Sequence, residues 1–476
     1  MKYCMVLLAL ASASCWAQTD SSKVAVPEKL NKITFGLNFL GHGEICNGGL
    51  PRTDNKDYAT EDRSRFLYGR TRLIVDYARA WKGQPIDDSS DDQPGLQAHI
   101  VIQNDAVWGM KDNMRLKMYE AWVKASSRNG LFAQLGRVAL TYDDERIIGD
   151  NDFAMASLTH DVIRVGYEGK VHQVHAIFAY NQNGGNVYTG TYYDDGAQLY
   201  KTMQTVWYHY EIPKFPLGIS LLFMNIGQQA GRYVEVEEHQ EPDPMDPPRT
   251  EYQQMFGTYV KFHPKYLTFE ASYYRQAGKI VVGEHHAMKI KAWMTSAKVT
   301  VNPSDRYGFL AGYDHLSGDS YVPVIYDGRI GSSNPEVQMV RHDVIRGFTP
   351  LYGSRTEFYG IMDYFYESAY TNGFTPGLQN AFVGAFGKPV SRLDCGLTYH
   401  YLAVATKLDG LNRTLGHSIE LQAGYTFSKD ISLKAAYTFM FGTETMSRLK
   451  QGTASKHAGW GWFSLIISPR LFSTKW

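Results

Sequence analysis

Ser418-Ile419-Glu420-Leu421-Gln422-Ala423-Gly424-Tyr425-Thr426-Phe427, the turn Ser428-Lys429-Asp430, and Ile431-Ser432-Leu433-Lys434-Ala435-Ala436-Tyr437-Thr438-Phe439-Met440-Phe441 carry the reading from which the rest follows. In the first arm Ile419, Leu421, Ala423, Tyr425 and Phe427 alternate with small or polar residues, and in the second Ile431, Leu433, Ala435, Tyr437, Phe439 and Phe441 do the same. Side chains on a strand point alternately to its two faces, so each arm has one apolar face and one small or polar face, and the pair predicts a hairpin. A strand of about ten residues, apolar throughout on one side and ionisable on the other, suits a wall between lipid and water. A soluble sandwich fits less well, because its inner faces meet in a core and its charge sits outside.

Composition agrees. The 476 residues include 33 Tyr and 44 Gly, and a mean hydropathy of −0.34 argues against a bundle of apolar membrane helices. After the leader no apolar run approaches the roughly 20 residues of a spanning helix, so a chain that crosses the membrane must do so as a closed sheet. No linker or change in composition divides the chain, which favours one large architecture. A formal net charge of +0 offers no long-range attraction for nucleic acid.

The N-terminus predicts export. Lys2 supplies a positive charge, Met5 to Ala13 an apolar core, and Cys15-Trp16-Ala17 a small-residue cleavage site, giving a signal peptide over 1–17 and a barrel over 18–476. Lipidation of Cys15 is the alternative, and Ser12 stands where such sites prefer an aliphatic residue. The mature chain keeps Cys46, in a Gly-rich stretch read as loop, and Cys395, mid-strand between Leu393 and Leu397. Two such unlike positions predict unpaired thiols rather than a disulfide, redox or zinc site.

The same alternation recurs about eighteen times. It runs near 33–40, 67–77, 96–104, 116–125, 131–141, 161–168, 171–181, 201–212 and 217–227, then near 253–262, 267–276, 286–301, 306–316, 378–388, 391–402, 415–427, 431–442 and 457–468. The expected fold is all-β: a transmembrane antiparallel up-and-down barrel of about 18 strands, with short periplasmic turns and long extracellular loops. Short connections such as Arg128-Asn129-Gly130 and Asn302-Pro303-Ser304 do alternate with long ones, the stretch near 82–95 being the exception. A last strand holding Trp460, Trp462 and Phe463, before Leu471, Phe472 and Trp476, is of the kind that barrel-insertion machinery addresses.

Two blocks carry a family resemblance. Tyr119-Glu120-Ala121-Trp122-Val123, Gly136-Arg137, Tyr142-Asp143-Asp144-Glu145-Arg146-Ile147-Ile148-Gly149 and Asp161 form the first. Gly312-Tyr313-Asp314, Ser317-Gly318-Asp319, Pro350-Leu351-Tyr352-Gly353, Phe358-Tyr359-Gly360 and Met362-Asp363-Tyr364-Phe365 form the second. Their order resembles the alginate-export family of outer-membrane porins. The resemblance implies an eighteen-stranded barrel with a charged, loop-restricted pore, and it marks Asp144, Glu145, Arg146, Asp319, Tyr352 and Asp363 as loop-motif residues.

The polar strand faces supply the expected pore lining: Arg70, Arg72, Lys124, Arg164, Lys261, Lys289, Lys291, Arg392 and Lys434, against Asp76, Asp105, Glu120, Glu168, Glu270, Asp314, Asp394 and Glu420. Export of a polyanion calls for a basic pore, and this near-balance points to a mixed, paired lining instead. Alternation puts Arg137 with Leu131, Ala133 and Leu135 on the lipid face, whereas the family motif favours a pore-facing Arg137. The connection from Ser317 to Asn380 is expected to fold partly into the lumen, and the acidic stretch Glu235 to Glu251 reads as solvated surface. His160-Asp161, His285-His286 and His315 with Ser317 and Asp319 lack the spacing of a nucleophile elbow or zinc motif, so no enzyme and no cofactor is expected.

The expectation is therefore a monomeric or trimeric channel in the outer membrane of a Gram-negative bacterium, passing a hydrophilic solute, anionic or saccharide. Its surroundings would be lipid and lipopolysaccharide. A dedicated exporter of an alginate-like polysaccharide is the alternative, and a lipolytic barrel enzyme or a structural or adhesive barrel is the reading from another class.

Overall fold

The computed structural model describes residues 29–47, 63–83, 94–111, 114–153, 155, 157–181, 200–231, 233–236, 239–282, 286–320, 344–354, 358–360, 375–450 and 458–476. The expected leader, Cys15, His285 and Asp363 lie outside them.

Eighteen antiparallel strands form the wall. They are β1 (Asn31–Asn47), β2 (Arg63–Arg79), β3 (Leu96–Val107), β4 (Arg115–Ser126), β5 (Leu131–Val138), β6 (His160–Glu168), β7 (His172–Tyr180), β8 (Thr202–Glu211) and β9 (Leu217–Ala230). There follow β10 (Arg249–Phe262), β11 (Leu267–Val282), β12 (Ala292–Ser304), β13 (Tyr307–Leu316), β14 (Leu378–Val390), β15 (Leu393–Ala403), β16 (Thr414–Ser428), β17 (Ile431–Gly442) and β18, in two pieces (Ala458–Ile467 and Arg470–Lys475). Pro469, which has no N–H to give, marks the break in β18, and its carbonyl still accepts from Leu37 N at 3.1 Å. Each strand pairs with the next, and β1 pairs with both pieces of β18, so the sheet closes and leaves no edge. A helix, α1 (Glu444–Lys450), follows β17.

The opening hairpin is β16 and β17, in register from Gly416↔Gly442 to Ser428↔Ile431. Its two faces differ sharply: Leu421 is 45% exposed on the outside, whereas Glu420 is 3% exposed on the inside. Such a wall supplies an apolar exterior to lipid and keeps ionisable groups in the bore. An arginine at outward Leu421, mid-strand, is expected to lower stability by about 2 to 4 kcal/mol. The same change at inward Gln422 should be near neutral; urea titration of barrels refolded into lipid vesicles measures both.

Two sequence expectations change here. Cys46 is within β1 rather than in a loop, and neither it nor the exposed Cys395 lies in a disulfide. The stretch read as one strand over 286–301 breaks at Lys291: His286–Ile290 pairs with the top of β11 and runs parallel to Val344–Ile345, while β12 begins at Ala292. Met288 and Ile290 pack into the buried core, which leaves Lys289 and Lys291 exposed on the opposite face.

Candidate functional site: a lumen narrowed by two inward loops

The core of this barrel joins its wall to its inward loops, and Met203, Met224, Met255, Tyr274 and Met294 of the wall strands belong to it. It lies where the β5–β6 connection (139–159) and parts of the β13–β14 connection (344–354 and 358–360) meet inside the bore, burying Ile147, Ile148, Phe348, Tyr352 and Tyr359. The first loop turns tightly over 142–148, with Tyr142 N donating to Ile148 O at 3.1 Å and Glu145 N to Tyr142 O at 2.9 Å. The turn holds Asp143 and Glu145 at φ of 54° and 58°, a region that costs a non-glycine residue about 1 to 2 kcal/mol. The second loop secures it: Tyr352 N donates to Ile147 O at 2.8 Å, Gly149 N to Tyr352 O at 2.8 Å, and Ser354 N to Glu145 O at 2.9 Å. Gly353 permits this approach, since a Cβ there would lie 2.3 Å from Arg146 O. The two motif blocks of the sequence thus form one clasp.

Arg146 is its centre. Its guanidinium pairs with Asp314 at 2.9 Å and Asp144 at 3.2 Å, and lies 4.2 Å above the ring of Phe358. Asp314 also accepts from Ser296 Oγ at 2.7 Å and Asn380 Nδ2 at 2.9 Å. Burial alone would favour losing the Arg146 proton; the Asp314 charge, with Tyr359 and Asp144, outweighs it and holds the pKa above its ordinary value.

Arg70 and Arg72 project from β2 into the bore, and their task is to hold the first loop down. Arg72 Nη1 reaches Asp152 Oδ1 at 2.5 Å, Arg70 Nη2 reaches Asp152 Oδ2 at 3.3 Å, and both donate to Ser157 Oγ at 3.0 Å. Several of the remaining inward charges are also paired. Lys124 meets Glu168 at 2.7 Å, and Asp76 and Glu120 flank His99 at 2.6 and 3.5 Å. Arg164 donates to Tyr142 OH at 3.1 Å, Glu420 faces His400 at 3.5 Å, and Asp394, near the short-turn mouth, meets Lys388 at 3.3 Å. Asp319 accepts from three backbone N–H groups of the second loop. Asp243, expected on a solvated surface, is buried and accepts from Met245 N at 2.8 Å.

Four lining residues stand elsewhere. Lys289 lies on the short strand above the wall, and Lys291 lies at the break between it and β12. Arg392 occupies the turn between β14 and β15, where its Nη1 donates to Phe427 O at 3.3 Å. Arg137 keeps the outward parity of Leu131 and Leu135, and Asp161 opposite it takes two hydrogen bonds at 2.7 and 2.8 Å; pairing, not a bulge, is what makes the position tolerable. Lys298, absent from the expected lining, points inward from β12 and pairs with Glu270 at 2.7 Å.

Beneath the clasp a cavity of about 630 Å³ is bordered by Arg146, Phe358, Lys298, Lys434, Trp462 and Phe153 among others. A smaller space of about 270 Å³ lies beside Asp143, Asp144, Glu145 and Glu270, and shares Arg146, Lys298 and Phe358 with the first. Arg146 and Phe358 therefore border both spaces.

A Ser-His-acid relay escaped the sequence reading, because His42 and Ser464 are 422 residues apart and meet only when β1 closes on β18. His42 Nδ1 lies 2.6 Å from Ser464 Oγ and its Nε2 3.0 Å from Glu44 Oε1, while Glu44 Oε2 accepts from Trp460 Nε1 at 2.8 Å. Both strands are paired on either side at this level, so the backbone donors an oxyanion hole would use are spent in the sheet and the relay orients side chains. Among the described residues no three His, Cys, Asp or Glu side chains are grouped to hold a metal.

Asp143, at the turn of the first loop, is pushed up to about 6 by burial; hydrogen bonds from Ser220 and Trp207 and the nearby His209 oppose the shift, and Asp144 adds to it. A carboxyl group whose folded pKa exceeds its unfolded value binds its proton more tightly when folded, so the loop is expected to tighten as pH falls from 7 through 6 toward 4. Hydrogen exchange of residues 142–149 should slow over that window, and Asp143→Asn should abolish the dependence.

The whole chain is similar to solved barrels. Pseudomonas aeruginosa OccK3 (OpdO) matches at 10% identity with a TM-score of 0.56, covering 92% of this chain and 96% of that one. P. aeruginosa OccD3 (OpdP) matches at 11% identity and TM-score 0.53, covering 92% of each chain. Acinetobacter baumannii OccAB4 matches at 9% and 0.54, covering 94% and 99%. At such identities the likeness establishes the fold. No protein-family model matches the chain, and no curated protein sequence is significantly similar to it.

Proposed function

We propose that this chain is an outer-membrane channel that passes a hydrophilic solute through a bore narrowed by two inward loops. One observation carries the reading: a closed barrel with an apolar exterior holds a cavity of charged and aromatic lining directly beneath a clasp centred on a buried arginine. The similarity to Occ/Opd outer-membrane porins supports it. Purified protein in planar bilayers should give discrete conductance steps; a correctly folded barrel that carries no current would sink the proposal.

Three finer statements belong to it. Residues 1–17 direct export, and the last strand, whose Leu471, Phe472 and Trp476 remain exposed, is addressed by barrel-insertion machinery. Kinship with the alginate-export family rests on the two motif blocks and on their meeting at Arg146, Asp314 and Gly353. Export of an alginate-like polyanion is not supported, because the inward cations are matched by carboxylates rather than arrayed as a basic track.

A further inference from the structure

We propose that the cavity beneath the clasp binds a neutral, hydroxyl-rich ring solute, a saccharide. The inference rests on the channel reading above and specifies its solute class.

The cavity suits such a ring in size and lining. Its 630 Å³ lies within the range of about 300 to 1,000 Å³ typical of small-molecule sites. Aromatic rings reach it from two wall strands and from both loops: Trp462 of β18, Phe382 of β14, Phe153 and Phe358. Each ring is held in place. Phe153 meets Trp462 edge-on at 5.0 Å, Trp462 stacks on His42 at 5.8 Å, Phe382 stacks on His400 at 5.5 Å, and Arg146 lies over Phe358. Flat apolar faces interleaved with hydrogen-bonding groups match a sugar ring, which has a C–H face and a hydroxyl rim.

Most charges of the lining are paired. Arg70, Arg146, Asp152, Asp314, His400 and Glu420 lie in ion pairs or charge-assisted contacts within the lining. Paired in this way they remain hydrogen-bonding groups yet exert little net field on a solute. Lys434 alone among the charged lining residues described makes no ion pair, and an ammonium can also donate to hydroxyls.

The unpartnered polar atoms of the lining discriminate between solute classes. Two buried polar atoms on wall strands β1 and β18 of this lining have no partner, Trp462 Nε1, which can only donate, and Asn38 Oδ1, which can only accept, and Arg146 Nη1 of the first loop is a further donor without one. Leaving such groups unmade costs about 1 to 3 kcal/mol each. A carboxylate could satisfy the indole but not the amide oxygen, and an ammonium the reverse, whereas a hydroxyl both donates and accepts. The two atoms lie about six residues apart along the β1–β18 seam, roughly 20 Å at 3.3 Å per residue, so they serve as successive stations for a solute moving along that wall.

The full-length protein is titrated calorimetrically in detergent with maltotriose and, separately, with gluconate, while the same solutes are added to single channels. Maltotriose is expected to bind and to interrupt the current in a saturable way. Trp462→Phe, which keeps a ring and removes the donor, should weaken binding several-fold, and Trp462→Ala at least tenfold, in barrels shown to be folded by heat-modifiable mobility. Binding of gluconate without maltotriose, or equal maltotriose binding by wild type and both variants, would overturn the proposal. Maltotriose binding by a barrel that passes no current would support the site and reject the channel reading.

Discussion

Arg146→Ala is expected to widen the channel, raising single-channel conductance several-fold and lowering the barrel's melting temperature. The substitution leaves Asp314, 1% exposed, facing only Ser296 and Asn380, and removing one partner of a buried ion pair costs about 3 to 5 kcal/mol. It also removes the cation from above Phe358 and Tyr359, the contact by which the first loop holds this part of the second. Arg146→Lys keeps the charge but lacks the guanidinium fork that serves Asp314 and Asp144 together, so it should fall between wild type and alanine. Adding Asp314→Asn to Arg146→Ala should recover part of the lost stability without restoring the narrow conductance. Equal conductance for wild type and Arg146→Ala would show that the clasp does not limit flow.

Asp319→Ala is expected to release the second loop. Its carboxylate accepts from Arg346 N at 2.6 Å, Gly347 N at 2.9 Å and Thr375 N at 3.2 Å, tying two distant points of one connection together beside β13. Without it three N–H groups compete for water in a buried setting, and each unmade bond costs about 1 to 3 kcal/mol. Limited proteolysis of intact barrels should then cut within 317–377 at least tenfold faster, while β16 and β17 stay protected. Asp319→Asn should be intermediate, since an amide keeps one accepting oxygen and turns a donor toward other donors. Unchanged cleavage in the alanine variant would remove Asp319 from this role.

The wall was legible because its physics is periodic. A residue facing lipid every second position leaves the alternation seen around Leu421 and Phe439, and the strands it predicted match those of the barrel except where 286–301 breaks at Lys291. Arg137 shows the same rule holding against a motif: alternation placed it outside, and Asp161, its register partner, was the piece that alternation alone could not supply. Lys289 was misplaced because a strand and its continuation into a separate sheet share one alternating pattern, so the break at Lys291 carries no local signal. Lys298 was within reach, since it shares parity with Met294 and Ser296. The loop contacts were not, because Asp152 meeting Arg72, or Arg146 meeting Asp314, depends on how a non-periodic segment returns into the bore. Inward Trp462 and Phe382 were hidden for another reason: an aromatic residue in a barrel strand ordinarily signals lipid.

The clasp also imposes an order on assembly. Glu145 and Ser354, which it brings together, are 209 residues apart in the chain. Nearly every wall pairing joins consecutive strands, so the sheet can grow hairpin by hairpin at small entropic cost, whereas the clasp needs two distant loops delivered to one place. It therefore forms late, on a wall that is already largely built. Until then the bore stands wide, and a time-resolved refolding experiment should find native strand content before Tyr352 and Tyr359 are shielded from solvent.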